Sequence, residues 1–263
     1  MYARIVVPLD GSTFSEEVIA RVAPMAEQID ARLTFVRIVE RPGEMVGADA
    51  YVQALARTWA AEGRAIVSRG SISDAIMGEV DRVPGSLAAI TARGRSGLGT
   101  AVLGSIAREY VQSSHDPVLV YRPEGGASAP TPRIATVLLP LDGTPRSESM
   151  QPQAAQWARA LGARLVLVQV ADASRFDTDI GEDAYVRARA SDLARRDGID
   201  AEWEVLHGDP VDALAGYLKG RRDVLVTMAT RTQPALRAAV LGSVTSGLMH
   251  RVSAPVIVQA PRA

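Results

Sequence analysis

The chain has 263 residues, of which 47% are apolar and 22% charged, and its formal net charge is −1. That length suits one large domain or two small ones, and the near-neutral balance argues against a nucleic-acid binder that works by neutralising phosphates. There is no cysteine, so disulfides, thiolate metal sites and cysteine nucleophiles are excluded.

The N-terminus runs from Met1-Tyr-Ala-Arg4 straight into Ile5-Val6-Val7 without the pattern of a secretory signal, and no run of about 18 apolar residues occurs. A cytoplasmic protein with no membrane partner is expected. The first predicted element is a short β-branched strand over 5–9, closed by Asp10-Gly11. A helix follows. Thr13 and Glu16 have capping-box spacing, Val18, Ile19, Val22, Ala23, Ala26 and Ile29 recur at helical spacing, and Pro24 is expected to kink it. Strand 33–39, helix 48–62, strand 65–68, helix 73–80 and strand 87–91 come next. A glycine-rich loop leads into helix 105–113 and strand 118–121. Residues 123–133 have a linker's proline, glycine and small-residue composition.

The pattern then starts again. Arg4-Ile-Val-Val-Pro-Leu-Asp-Gly-Ser12 matches Thr136-Val-Leu-Leu-Pro-Leu-Asp-Gly-Thr144, and Ala31-Arg-Leu33 matches Ala163-Arg-Leu165, both 132 positions on. Val102-Leu-Gly-Ser105 matches Val240-Leu-Gly-Ser243, and Asp116-Pro-Val-Leu-Val120 matches Ala254-Pro-Val-Ile-Val258, both 138 positions on. The difference falls between about residues 40 and 70, inside the repeat, so the chain is a duplication. In the second copy Thr144-Pro145 supplies an N-cap and a proline at the first helical position. Strands are expected over 137–141, 165–170, 201–206, 223–227 and 256–259, and helices over 183–196, 211–218 and 243–251. The expected fold is α/β: two tandem Rossmann-like doubly wound domains (1–122 and 134–263), each a five-stranded parallel sheet flanked by helices. Ligands of such sheets bind beyond the carboxyl ends of the strands. In the first copy those ends are Leu9-Asp10, Ile38-Val39, Gly70 and residues 91–94.

The loop Thr91-Ala-Arg-Gly94-Arg-Ser-Gly97-Leu-Gly99-Thr-Ala-Val-Leu-Gly104-Ser105 ends where a helix begins. It reads either as a phosphate loop, with glycines for close approach and a helix N-terminus for the anion, or as an ordinary glycine-rich connection. Gly99 and Gly104 have Walker A spacing, but Ser105 stands where that motif has lysine, and the dinucleotide fingerprint is absent too. Asp10 and Asp142 have a plain structural reading as turn aspartates that cap the next helix.

With Pro8-Leu-Asp10-Gly-Ser12 after the first strand and a late glycine loop ending in Gly104-Ser105, the chain resembles the universal stress protein family, in its tandem two-domain form. The family's ATP-binding pattern is G-x-x-G, nine residues, then G-[ST]. The first copy has Thr91-Ala-Arg-Gly94 and Gly104-Ser105 at that spacing, and the second has Ala229-Thr-Arg-Thr232 and Gly242-Ser243. The resemblance implies a regulatory protein that binds ATP or a related adenine nucleotide, with or without Mg. Pro8 and Asp10 would lie near the adenosine, the backbone at Ile38 near the base, and Thr91, Gly94, Gly104, Ser105 and Ile106 near the phosphates. The second-copy counterparts are Asp142, Val170, Gly242, Ser243 and Val244. The first copy is expected to be the better site, because Thr232 replaces Gly94 and Gln233-Pro234 replaces Arg95-Ser96. The alternative is a scaffold of the same fold that works without nucleotide, through dimerisation and partner contacts. His115, His207 and His250 form no metal or catalytic pattern, so no catalytic residue is assigned and at most a weak ATPase is expected. The resemblance also implies that the last strands pair the two copies within the chain, and that chains pair as homodimers.

Overall fold

The computed structural model describes residues 1–92, 103–114, 116–123, 132–171, 181–233 and 238–259, with backbone alone for 231–233 and 238–240. The first half contains β1 (Arg4–Leu9), α1 (Thr13–Gln28), β2 (Arg32–Val39), α2 (Met45–Thr58), β3 (Glu62–Val67), α3 (Ile72–Asp81), β4 (Ser86–Thr91), α4 (Ser105–Ser113) and β5 (Val118–Tyr121). The second contains β6 (Thr136–Leu141), α5 (Pro145–Glu148), α6 (Gln151–Leu161), β7 (Arg164–Ala171), α7 (Ala184–Asp197), β8 (Ala201–His207), α8 (Pro210–Leu218), β9 (Val224–Ala229), β10 (Arg231–Gln233), β11 (Ala238–Val240), α9 (Ser243–Arg251) and β12 (Val256–Gln259).

The apolar strand runs are buried on both faces, which a parallel sheet under two helical layers requires. Alternation sends Ile5 and Val7 to a core under α1, α2, α6 and α7, and Val6 to a core under α3, α4, α8 and α9. Two tandem Rossmann-like domains result, joined into one ten-stranded sheet of order β3-β2-β1-β4-β5-β12-β9-β6-β7-β8. Within this sheet all pairings inside each half are parallel, and β5 and β12 meet antiparallel. The sheet order reverses between β1 and β4, and again between β6 and β9. These are the topological switch points of the two halves. No helix among the described residues is long and apolar enough to cross a membrane.

Several local expectations are corrected. The N-cap of α1 is Ser12, not Thr13: its side chain accepts from the Ser15 backbone N–H. The matching segment of the second half breaks into α5 and α6 around Ser149–Met150. Pro152 accounts for the break, because its ring clashes with the carbonyl four residues back, at Glu148, where α5 ends. Strand β3 begins at Glu62, where the sequence suggested helix. Strands β10 and β11 form an antiparallel pair of their own in a stretch read as loop. The expected linker lies mostly outside the described residues.

Candidate functional site

Each switch point opens into a cavity at the carboxyl ends of the strands. The first has a volume of about 290 Å³ and is lined by Pro8, Leu9 and Asp10 from the end of β1, Val36, Arg37 and Ile38 from β2, and Ile90 and Thr91 from β4. Ser15 of α1, Ile72 and Ile76 of α3, and Gly104, Ser105, Ile106 and Ala107 at the start of α4 complete it. Pro8, Asp10, Ile38, Thr91, Gly104, Ser105 and Ile106, singled out in four separate stretches of sequence, are thereby brought together. Gly94 lies outside the described residues.

The turn after β1 is built by its own side chains. Asp10 Oδ1 accepts from the Ser12 backbone N–H at 2.9 Å and from the Ser12 hydroxyl at 2.5 Å. Ser15 Oγ accepts from the Asp10 N–H at 3.2 Å and donates to the Ser12 carbonyl at 2.9 Å. The second half repeats this: Asp142 Oδ1 accepts from the Thr144 N–H at 3.0 Å and its hydroxyl at 2.6 Å, and Ser147 Oγ accepts from the Asp142 N–H at 3.2 Å. Partial desolvation pushes the Asp142 carboxyl up, but the hydrogen bonds around Ser147 and Thr144 outweigh it and hold it below its ordinary value. Both aspartates therefore serve the turn, and they do so at the mouth of a cavity.

The helices that open into the cavities, α4 and α9, are capped differently from α3 and α8, which pack beside them. Ser12, Ser71 and Asp209 cap α1, α3 and α8 with side-chain oxygens. The N-caps of α4 and α9 are Gly104 and Gly242, which supply no side-chain acceptor. Their leading N–H groups, with the positive end of each helix dipole, face the cavity that Ser105 and Ser243 line.

The second cavity is smaller, about 140 Å³, and is lined among others by Pro140, Asp142, Val170, Ala229, Gly242, Ser243 and Val244. All the second-copy candidates meet there. Arg146 also lines it, at the position of Phe14 in the first copy.

The model of the universal stress protein family matches residues 1–122 and again 134–259. The chain belongs to the universal stress protein family.

Among solved structures, a universal stress protein from Archaeoglobus fulgidus DSM 4304 is similar over 100% of both chains, with a TM-score of 0.69 and 16% identity. A functionally unknown protein from Pseudomonas aeruginosa PAO1 matches 99% of this chain and 93% of its own, with a TM-score of 0.69 and 15% identity. A universal stress protein solved in complex with cAMP matches 50% of this chain and 100% of its own, with a TM-score of 0.40 and 23% identity. No curated protein sequence matches significantly.

Sequence reasoning missed a pair repeated in both domains of this universal stress protein. The Tyr51 hydroxyl donates to Glu16 Oε1 at 2.7 Å, and the Tyr185 hydroxyl donates to Glu148 Oε1 at 2.8 Å. Burial, then the carboxylate partner, raises both phenols well above their ordinary value. The signal was present: Glu16 and Glu148 are 132 apart, but their tyrosines are 134 apart, within the stretch where the repeat changes register. Arg37 was missed too. It lies between the cavity-lining Val36 and Ile38, and its Nη1 donates to the Leu9 carbonyl at 3.3 Å.

Proposed function

We propose that the protein is a nucleotide-binding regulatory member of its family, holding ATP or a related adenine nucleotide mainly in the first-domain cavity. The observation that carries this reading is the convergence of Asp10, Ile38, Thr91 and the glycine-capped start of α4 on one cavity at a switch point. Ile38 and Ile90 give the apolar walls that a purine needs, and Pro8 and Asp10 flank the place of the ribose. Ser105 and Ile106 present backbone N–H groups to phosphate. A Mg ion would enter with the phosphates; among the described residues no group of three acidic or histidine side chains could hold one. The reading places the protein in the cytoplasm, where such nucleotides are abundant. Chains that pair would use the free edges β3 and β8, because β5 and β12 are already spent on each other.

For the second domain a scaffold reading has support of its own. Its cavity has about half the volume, and its loop carries Thr232 and Gln233-Pro234. The test is to denature the purified protein and separate released small molecules by anion-exchange chromatography, with ATP titrated into nucleotide-free protein in parallel. Released adenine nucleotide, or binding that Gly104→Val weakens, supports the proposal. Neither release nor measurable binding sinks it in favour of the scaffold.

A further inference from the structure

Because β5 and β12 run antiparallel, the amino ends of the second domain's strands share an edge of the sheet with the carboxyl ends of the first domain's. At that edge lies a recess of about 540 Å³. Five basic side chains line it: Arg21 of α1, Lys219, Arg221 and Arg222 between α8 and β9, and Arg251 at the end of α9. No acidic residue is among the described residues that do so. Several of the basic groups are held in place. Arg21 is 3% exposed, and its Nε donates to the Tyr121 hydroxyl at 3.2 Å. The Arg221 guanidinium lies 4.0 Å from the Tyr217 ring centroid, and Arg251 is paired with Asp212 beside the recess.

A simpler account is that these cations compensate the carboxyl ends of α8 and α9, each worth roughly half a negative charge. The repeat argues against it. Helix α4 carries no basic residue in its last turn, where α9 carries His250 and Arg251; α3 and α8 carry none in theirs, and each is capped by a basic residue, Arg82 and Lys219. At the 138-residue spacing, Asp81 stands for Lys219, Val83 for Arg221, Pro84 for Arg222 and Ser113 for Arg251, while Gln153 follows Arg21 by 132. Arg82, at the position of Gly220, is turned onto Glu79. The other copy therefore forms the matching corner with none of the five cations at their matched positions.

We infer that this recess is a second anion site, which takes a chain of condensed phosphate groups. Guanidinium forks from three elements match phosphate oxygens in pairs, and the recess is too large for one phosphate to reach them all. The site lies beside the first-domain cavity. Thr91, which lines that cavity, pairs in register with Tyr121, the partner of Arg21. The inference stands whether or not the neighbouring cavity holds nucleotide.

The test is calorimetric titration of the full chain with sodium tripolyphosphate at low salt. One site per chain is expected. Lys219→Glu with Arg221→Glu should weaken it by roughly tenfold or more, while Arg32→Glu, a highly exposed cation elsewhere, should leave it unchanged. The milder Lys219→Gln with Arg221→Gln pair should give an intermediate loss, with circular dichroism verifying the fold of each variant. Equal binding by the charge-reversed protein, no binding by the parent, or loss on Gly104→Val instead would each overturn the inference. So would a preference for single-stranded RNA or an acidic peptide over tripolyphosphate.

Discussion

Leu119 and Ile257 occupy the same place in the two repeats, and they face each other across the antiparallel pairing of β5 with β12. A local two-fold axis therefore passes between them, as in the self-complementary interface of a symmetric dimer, here formed inside one chain. Both side chains are fully buried, and each layer of core crosses the seam. Leu119→Ala or Ile257→Ala should cost about 2–5 kcal/mol and leave a single unfolding transition. Calorimetry that resolves two independent transitions in the parent protein would contradict a shared core.

Gln28 ties the same seam from above the sheet. Its Nε2 donates to the Ile134 and Leu161 carbonyls at 2.9 and 3.0 Å, and its Oε1 accepts from the Ile134 N–H at 2.8 Å. Gln28→Ala would strand backbone groups of the second domain, at about 1–3 kcal/mol each for those left unpaired. Denaturant titration should register that loss. An unchanged midpoint would mean that water replaces the amide.

Glu79 sets an acid limit on stability. Its carboxylate, almost fully buried, meets Arg4 Nη1 at 2.9 Å, Arg82 Nη2 at 2.9 Å and Arg64 Nε at 3.3 Å. Desolvation pushes its pKa up, but the hydrogen bonds from Arg82 and Arg4 and the charge of Arg64 prevail and hold it below the ordinary glutamate value. A group lowered on folding contributes its full stabilisation above its unfolded pKa, about 4.3, and loses it as pH falls through the folded value. Glu79→Ala should cost about 3–5 kcal/mol at neutral pH. That difference from the parent should shrink on acidification below about pH 4. Thermal melts across pH test this; a constant difference would contradict it.

Much of this was legible in the sequence, and the rest was hidden for definite reasons. Buried parallel strands are near-continuous apolar runs, so β4, β5 and β12 could be located closely. Glycine marks helix ends when it is present: Gly198, at φ +60°, stops α7 within a residue of the expected place. Helix α2 ends at Thr58 with Trp59 as its C-cap, and Ala60 takes φ +49° without a glycine. Nothing in the composition announced that turn, so helix was extended into β3. In the site, Asp10, Ile38 and Gly104 could be named through motif spacing. Arg37 and Tyr51 could not, because their positions depend on how β2 and α2 pack against the first turn. The basic recess was least legible, since α1 and the second domain meet there only after the sheets join.

Nucleotide in the first-domain cavity, as proposed, is best tested without cutting the chain. Separating the domains would expose β5 and β12, so the direct measurement is ATP titration by calorimetry into the intact chain, with Gly104→Val and Gly242→Val compared in parallel. Gly104→Val should remove most of the binding, roughly tenfold or more, while Gly242→Val should change it little. Binding that survives Gly104→Val and is lost with Gly242→Val would contradict the proposal.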